Sequence, residues 1–135
     1  MTDARTILSR VRRMGERVEQ LQEAKLRAYE METSITASPS AERVQTSNER
    51  RPGESFAALS DEVDRQLAEL AQAKAEALRL IGCVRDNRMA TVLTAYYING
   101  DTLELISVHM SYSYRNVKRL HRKGLEAAQK ALETE

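Results

Sequence analysis

Apolar residues recur every three or four positions through residues 3–32, a stretch that contains no proline. This is the period of a coiled-coil helix, whose narrow apolar stripe needs a second helix to cover it. Lys25 takes the one stripe position that is not apolar. The apolar members are Ile7, Val11, Met14, Val18, Leu21 and Ala28. We therefore predict a long helix over 3–32 that pairs with another helix.

A second helix is predicted over residues 55–85, where the apolar stripe is broader and suits more than one neighbour. Its members are Phe56, Leu59, Val63, Leu67, Leu70, Ala73, Ala77, Leu78, Ile81 and Val84. Cys83, the chain's only cysteine, stands among them and is expected to be buried. We interpret the two helices as an antiparallel hairpin. A parallel homodimer through the first helix is the alternative.

The composition fits an all-α fold, because Ala, Leu, Glu, Arg, Lys and Gln dominate and the chain has only Pro 2, Gly 5, Trp 0 and Phe 1. Residues 33–54 are rich in Ser and Thr, contain both prolines and have no apolar period, so they are predicted to form a loop. A connection of that length is either a flexible surface loop or a segment with a binding role. We place the hairpin in residues 1–85 and a second domain in residues 86–135.

Three shorter helices are predicted in residues 86–135. The first covers residues 88–98 and stops at Asn99-Gly100. The next starts at Asp101, an N-cap with Glu104 three residues on. The last starts after Ser113 and runs from Tyr114 toward Leu132. A short helix, a tight turn and a longer basic helix make the outline of a helix-turn-helix.

Charge is unevenly distributed along a chain whose overall charge is only +1. Residues 1–112 have a net charge of -2, whereas residues 113–135 have a net charge of +3. At about 100° per residue, arginines on the last helix fall opposite its apolar side, with lysines on the flanks. Guanidinium groups bind phosphates or guanine, and an Asn amide suits adenine. The predicted DNA-binding residues are Ser113, Tyr114, Arg115, Asn116, Lys118, Arg119, Arg122 and Lys123.

Residues 97–107 (YINGDTLELIS) and 112–121 (YSYRNVKRLH) resemble the region 4 helix-turn-helix of sigma-70-type factors. The whole chain is similar to a family of small phage and prophage proteins, with loop segments like residues 33–39 (TSITASP) and 43–47 (RVQTS). That family resembles phage late-gene transcriptional activators of the autolysin-regulator type. The resemblance implies a DNA-binding regulator of transcription in the cytoplasm of a bacterial host. The aromatic surface with which sigma factors melt promoters is missing, so the chain is not expected to be a complete sigma factor.

The expected partners are double-stranded DNA, host RNA polymerase and a second copy bound through the N-terminal helices. Two other functions stay open at this stage, a DNA-packaging protein similar to small terminase subunits and a coiled-coil adaptor that binds only proteins. No apolar run approaches the roughly 20 residues that span a bilayer, so no membrane contact is expected. The sequence has no phosphate loop, paired catalytic carboxylates or nucleophile motif, and His109 and His121 lack metal-ligand spacing. We expect no enzyme activity, cofactor or metal.

Overall fold

The computed structural model describes residues 3–37 and 54–134, which form five α-helices and no strand. The helices are α1 (Ala4–Ala37), α2 (Glu54–Ile81), α3 (Asn87–Leu93), α4 (Leu103–Met110) and α5 (Tyr114–Glu133). A π-helical turn over Thr94–Ile98 continues α3. The prediction of an all-α fold is confirmed.

The chain divides into two compact units. Unit 1 comprises Met1–Glu16 and Glu69–Glu135, and unit 2 comprises Arg17–Ala68. Unit 1 therefore contains the start of α1 and the end of α2 together with α3, α4 and α5. This division differs from the predicted boundary between residues 85 and 86, because it passes through α1 and α2.

The core of unit 1 is built mainly by the three shorter helices. Val92, Ile106, Val117 and Leu120 form one buried cluster that joins α3, α4 and α5. Ala4, Leu8 and Val11 of α1 are also buried, as are Ala77, Leu80 and Ile81 of α2. Burial of a Leu, Ile or Val side chain contributes about 1.5–3 kcal/mol, so these residues supply much of the stability of this unit.

Within unit 2, Val18 of α1 and Val63 of α2 are buried. The Tyr29 and Phe56 rings lie 5.6 Å apart between centroids, and the Phe56 N–H donates to Glu32 Oε1 at 3.4 Å. The charge of Arg17, near the other end of this segment, acts on Glu62. These pairs run in opposite order along the two segments, as in an antiparallel arrangement. The full hairpin stays a prediction.

Several sequence-based expectations for α1 and α2 are wrong. The first helix continues through Ala37, beyond the predicted loop boundary at residue 33; residues 38–53 of the predicted loop lie outside the described residues. Leu67 and Leu78 are 40% and 46% exposed, whereas Leu80, which was not in the predicted stripe, is buried. Cys83 is exposed because it lies in the turn after α2.

A helix long and apolar enough to cross a membrane does not occur in residues 3–37 and 54–134.

Candidate nucleic-acid interface

The helices α4 and α5 are joined by a three-residue turn, Ser111–Ser113. Thr102, and not the predicted Asp101, is the N-cap of α4, because its hydroxyl accepts the Leu105 N–H at 3.1 Å. The capping box predicted from Asp101 and Glu104 therefore does not form. At the other end of α4, Ser111 has φ 59° and ψ 38°, the left-handed conformation that ends many helices. This residue turns the chain toward α5.

The start of α5 is fixed as the sequence predicts. The Ser113 hydroxyl accepts the Asn116 N–H at 3.1 Å and satisfies one of the free donors of the first turn. The inner side of the helix is buried at Val117, Leu120, Gly124 and Ala128. Burial of this side fixes the rotation of α5, so its opposite side faces solvent.

The outer side of α5 carries the predicted DNA-binding residues. Six of them, Ser113, Arg115, Asn116, Lys118, Arg119 and Arg122, line one open groove of about 560 Å³. Tyr114 and Lys123 are exposed but do not line this groove. We call the exposed Arg115, Lys118, Arg119, Arg122 and Lys123 the basic face. Within residues 3–33 and 55–134, no ion pair joins a member of the basic face to a carboxylate.

Two side-chain contacts organise the first two turns of α5. Lys118 Nζ lies 4.9 Å from the centroid of the Tyr114 ring, which is 42% exposed. Arg119 Nη2 donates to Asn116 Oδ1 at 2.8 Å. Asn116 Oδ1 thus accepts one hydrogen bond within α5 and keeps a second lone pair, while the NH₂ group of Asn116 stays available as a donor.

The first turns of α1 support the entry to α4, which local sequence patterns did not predict. Arg12 Nη1 donates to the Tyr96 carbonyl at 2.5 Å and to the Asp101 carbonyl at 3.1 Å. Its guanidinium also lies 4.0 Å from the centroid of the Tyr96 ring. Arg12 thereby satisfies carbonyls at the end of the π-helical turn and before α4, where the helical hydrogen-bond pattern is interrupted.

His121 anchors the inner edge of α5. Its Nε2 lies 2.7 Å from the Tyr97 hydroxyl, and the two rings stack with centroids 5.5 Å apart. Burial lowers the pKa of His121, and the positive charge of Arg5 lowers it further. Burial also raises the pKa of Tyr97. The contact therefore joins two neutral groups at neutral pH.

Comparison of the chain with protein-family models, with curated proteins and with solved structures gives no match.

Proposed function

We propose that the protein binds double-stranded DNA through the basic face of α5. The observation that carries this proposal is that five cations share the outer side of one helix and none of them is neutralised by an ion pair within the described side chains. Phosphate binding by Lys and Arg releases counterions from DNA and supplies most of the affinity of such a surface.

The geometry supports α5 as a recognition helix of a helix-turn-helix. An α-helix fits the major groove of B-DNA, which is about 12 Å wide. In such motifs the N-terminal residues of the second helix contact base edges, while a preceding short helix supports it. The groove residues lie in the first half of α5, between Ser113 and Arg122. We propose that Arg115, Arg119 and Arg122 contact the DNA directly.

The biological role in this proposal follows the resemblance of residues 97–121 to sigma-70 region 4. The protein would regulate transcription for a phage or prophage in the cytoplasm of the bacterial host, and would contact RNA polymerase as region 4 modules do. A second copy, bound through the N-terminal helices, would place two α5 helices on half-sites about 34 Å apart.

Binding of a fluorescent DNA duplex across a salt series tests this function. The slope of log K against log salt is negative for a protein that binds phosphates. The triple variant Arg115→Ala, Arg119→Ala, Arg122→Ala is expected to reduce the magnitude of this slope by about 3, because each lost phosphate contact reduces it by about 1. Fluorescence anisotropy between about 50 and 200 mM salt gives both affinity and slope.

The matched control is Arg13→Ala, Arg17→Ala, Arg27→Ala, which removes three exposed arginines of α1 and changes the net charge equally. Circular dichroism checks that both variants stay folded. If the two triple variants weaken binding equally, α5 is not the contact surface. Absence of binding by the parent protein at about 50 mM salt would overturn DNA binding altogether and favour a protein-only adaptor.

A further inference from the structure

A second groove lies beside the one on α5. It has a volume of about 510 Å³ and is lined by Asp3, which precedes α1, by Arg5 of α1 and by five residues of α5 between Arg122 and Lys130. Arg122 lines both grooves. The basic face of α5 is therefore continuous with a surface that includes the start of α1.

The start of α1 is held in place against α5. The Ala4 N–H donates to Gln129 Oε1 at 2.7 Å, and Ala4 itself is buried. Asp3 Oδ1 accepts the Thr6 N–H at 2.8 Å and caps the first turn. Because the backbone on both sides of Arg5 is held, the fold determines the point beside α5 from which this side chain projects.

Arg5 is an exposed cation close to α5. Within residues 3–33 and 55–134 it takes part in no ion pair. Its positive charge acts on His121 of α5, because it lowers the pKa of that residue in addition to the larger effect of burial. Arg5 therefore adds positive charge at the Arg122 end of the basic face.

The second groove contains two carboxylates, Asp3 and Glu126, beside the cations Arg5, Arg122 and Lys130. The Asp3 carboxylate is engaged by Thr6, and hydrogen bonds from that residue lower the pKa of Asp3. Glu126 lies one turn beyond Arg122 on α5. The charge of Arg5 also acts on Asp3. Because Arg122 lines both grooves, a DNA backbone that lies along the basic face would meet the second groove at Arg122.

We propose that Arg5 contacts a phosphate of the DNA backbone beside the groove occupied by α5. This inference rests on the proposed DNA binding. A phosphate is the favoured ligand because Arg5 lies outside the helix proposed to enter the major groove, and about half to two-thirds of protein–DNA hydrogen bonds go to phosphate and sugar oxygens. The contact would be independent of sequence and would fix the register of unit 1 on the duplex.

The test compares Arg5→Ala with Arg10→Ala in the same salt series. Arg10 is exposed on the same helix, about 140° round its axis from Arg5, and carries the same charge. We expect Arg5→Ala to weaken binding about fivefold and to lower the salt slope by about 1 on specific and random duplexes alike. Arg10→Ala should leave the slope unchanged. Arg5→Lys should restore the slope, because it returns the charge.

Failure of the two proposals can be told apart. An unchanged slope in Arg5→Ala, when Arg122→Ala lowers the slope, overturns the Arg5 contact and leaves DNA binding by α5 standing. Equal losses in Arg5→Ala and Arg10→Ala also overturn it, because the effect would then be one of net charge. If the parent protein binds no duplex, both proposals fail together. Circular dichroism spectra that match the parent exclude misfolding as the cause of a loss.

Discussion

At the scale of single residues, the contact between Tyr97 and His121 should make the stability of the protein depend on pH, because burial disfavours the charged form of His121. Tyr97 is only 3% exposed, and its hydroxyl group contacts the imidazole at 2.7 Å. The other groups that act on the pair are the Tyr96 ring, the Ser9 side chain, which hydrogen-bonds Tyr97, and the guanidinium groups of Arg5 and Arg12. Burial and the positive charge of Arg5 disfavour a charged imidazole, so protonation of His121 destabilises this part of the core.

We predict that the protein loses stability as the pH falls from about 7 to about 5. The pKa of His121 in the folded protein lies below the ordinary histidine value of about 6.5, so the unfolded chain binds more protons in this range and stability must fall as the pH falls. His121→Gln should flatten this dependence in thermal melts followed by circular dichroism.

The matched control for this prediction is His109→Gln, at an exposed position on α4. It should keep the pH dependence of the parent. The carboxylates with lowered pKa, Asp3, Glu62 and Asp86, contribute mainly below about pH 5, and they contribute equally in the parent and in both His variants. The explanation is wrong if His121→Gln and the parent lose stability in parallel between about pH 7 and pH 5.

At the scale of helices, two glycines show how closely elements approach. A Cβ atom added at Gly15 of α1 would have no neighbour within 4 Å. One added at Gly124 of α5 would lie 3.2 Å from Leu93 Cδ1 and Cγ, and Leu93 is fully buried in α3. The absence of a side chain at Gly124 therefore allows α3 and α5 to pack closely, whereas Gly15 has no such role.

The same substitution should act in opposite directions at these two positions. Gly15→Ala should raise the free energy of unfolding by about 0.5–1 kcal/mol, because Ala favours a helix over Gly. Gly124→Ala should lower it by about 1 kcal/mol, since the cost of overpacking exceeds the gain in helix propensity. Urea denaturation measures both changes. A similar gain at both positions would contradict close packing of α5 on α3.

The helices also show which features the sequence could predict. The start and inner side of α5 were predicted correctly, because one good N-cap is followed by a regular apolar period. Asp101 and Thr102 are adjacent and both are favourable N-cap residues, so the sequence alone could not show which of them caps α4. Leu78 and Leu80 flank the buried side of α2 on opposite edges, and only the neighbouring helices decide which edge is covered. Nothing in the sequence indicated that Ser111 would end α4, since the left-handed conformation it adopts is usually taken by Gly.

At the scale of the whole molecule, the contacts of unit 1 join residues far apart in sequence. Ala4 bonds Gln129, and Arg12 bonds the carbonyls of Tyr96 and Asp101. Leu8, absent from the predicted stripe, is fully buried. Local periodicity predicts that a helix forms but not which distant segment covers it. The contributions of Arg5 and Arg12 could therefore not be predicted from the sequence.

The predicted domain 86–135 should consequently not fold stably by itself. Removing α1 deletes the two hydrogen bonds from Arg12, each worth about 1.5–3 kcal/mol for a charged donor. That loss is a large part of the 5–15 kcal/mol that typically stabilises a protein. We expect the fragment to lack a cooperative thermal transition by circular dichroism, under conditions in which the full chain has one. A fragment that melts cooperatively at the temperature of the full chain would show that α1 is dispensable.

The exposed thiol of Cys83 has a practical consequence for all these measurements. It is the only cysteine of the chain, it belongs to the same compact unit as α5, and it lines neither groove. A maleimide dye would therefore attach at one known position without any change to the sequence. Such a label would report the tumbling of unit 1, for which DNA binding is proposed, while leaving Arg5 and the basic face free.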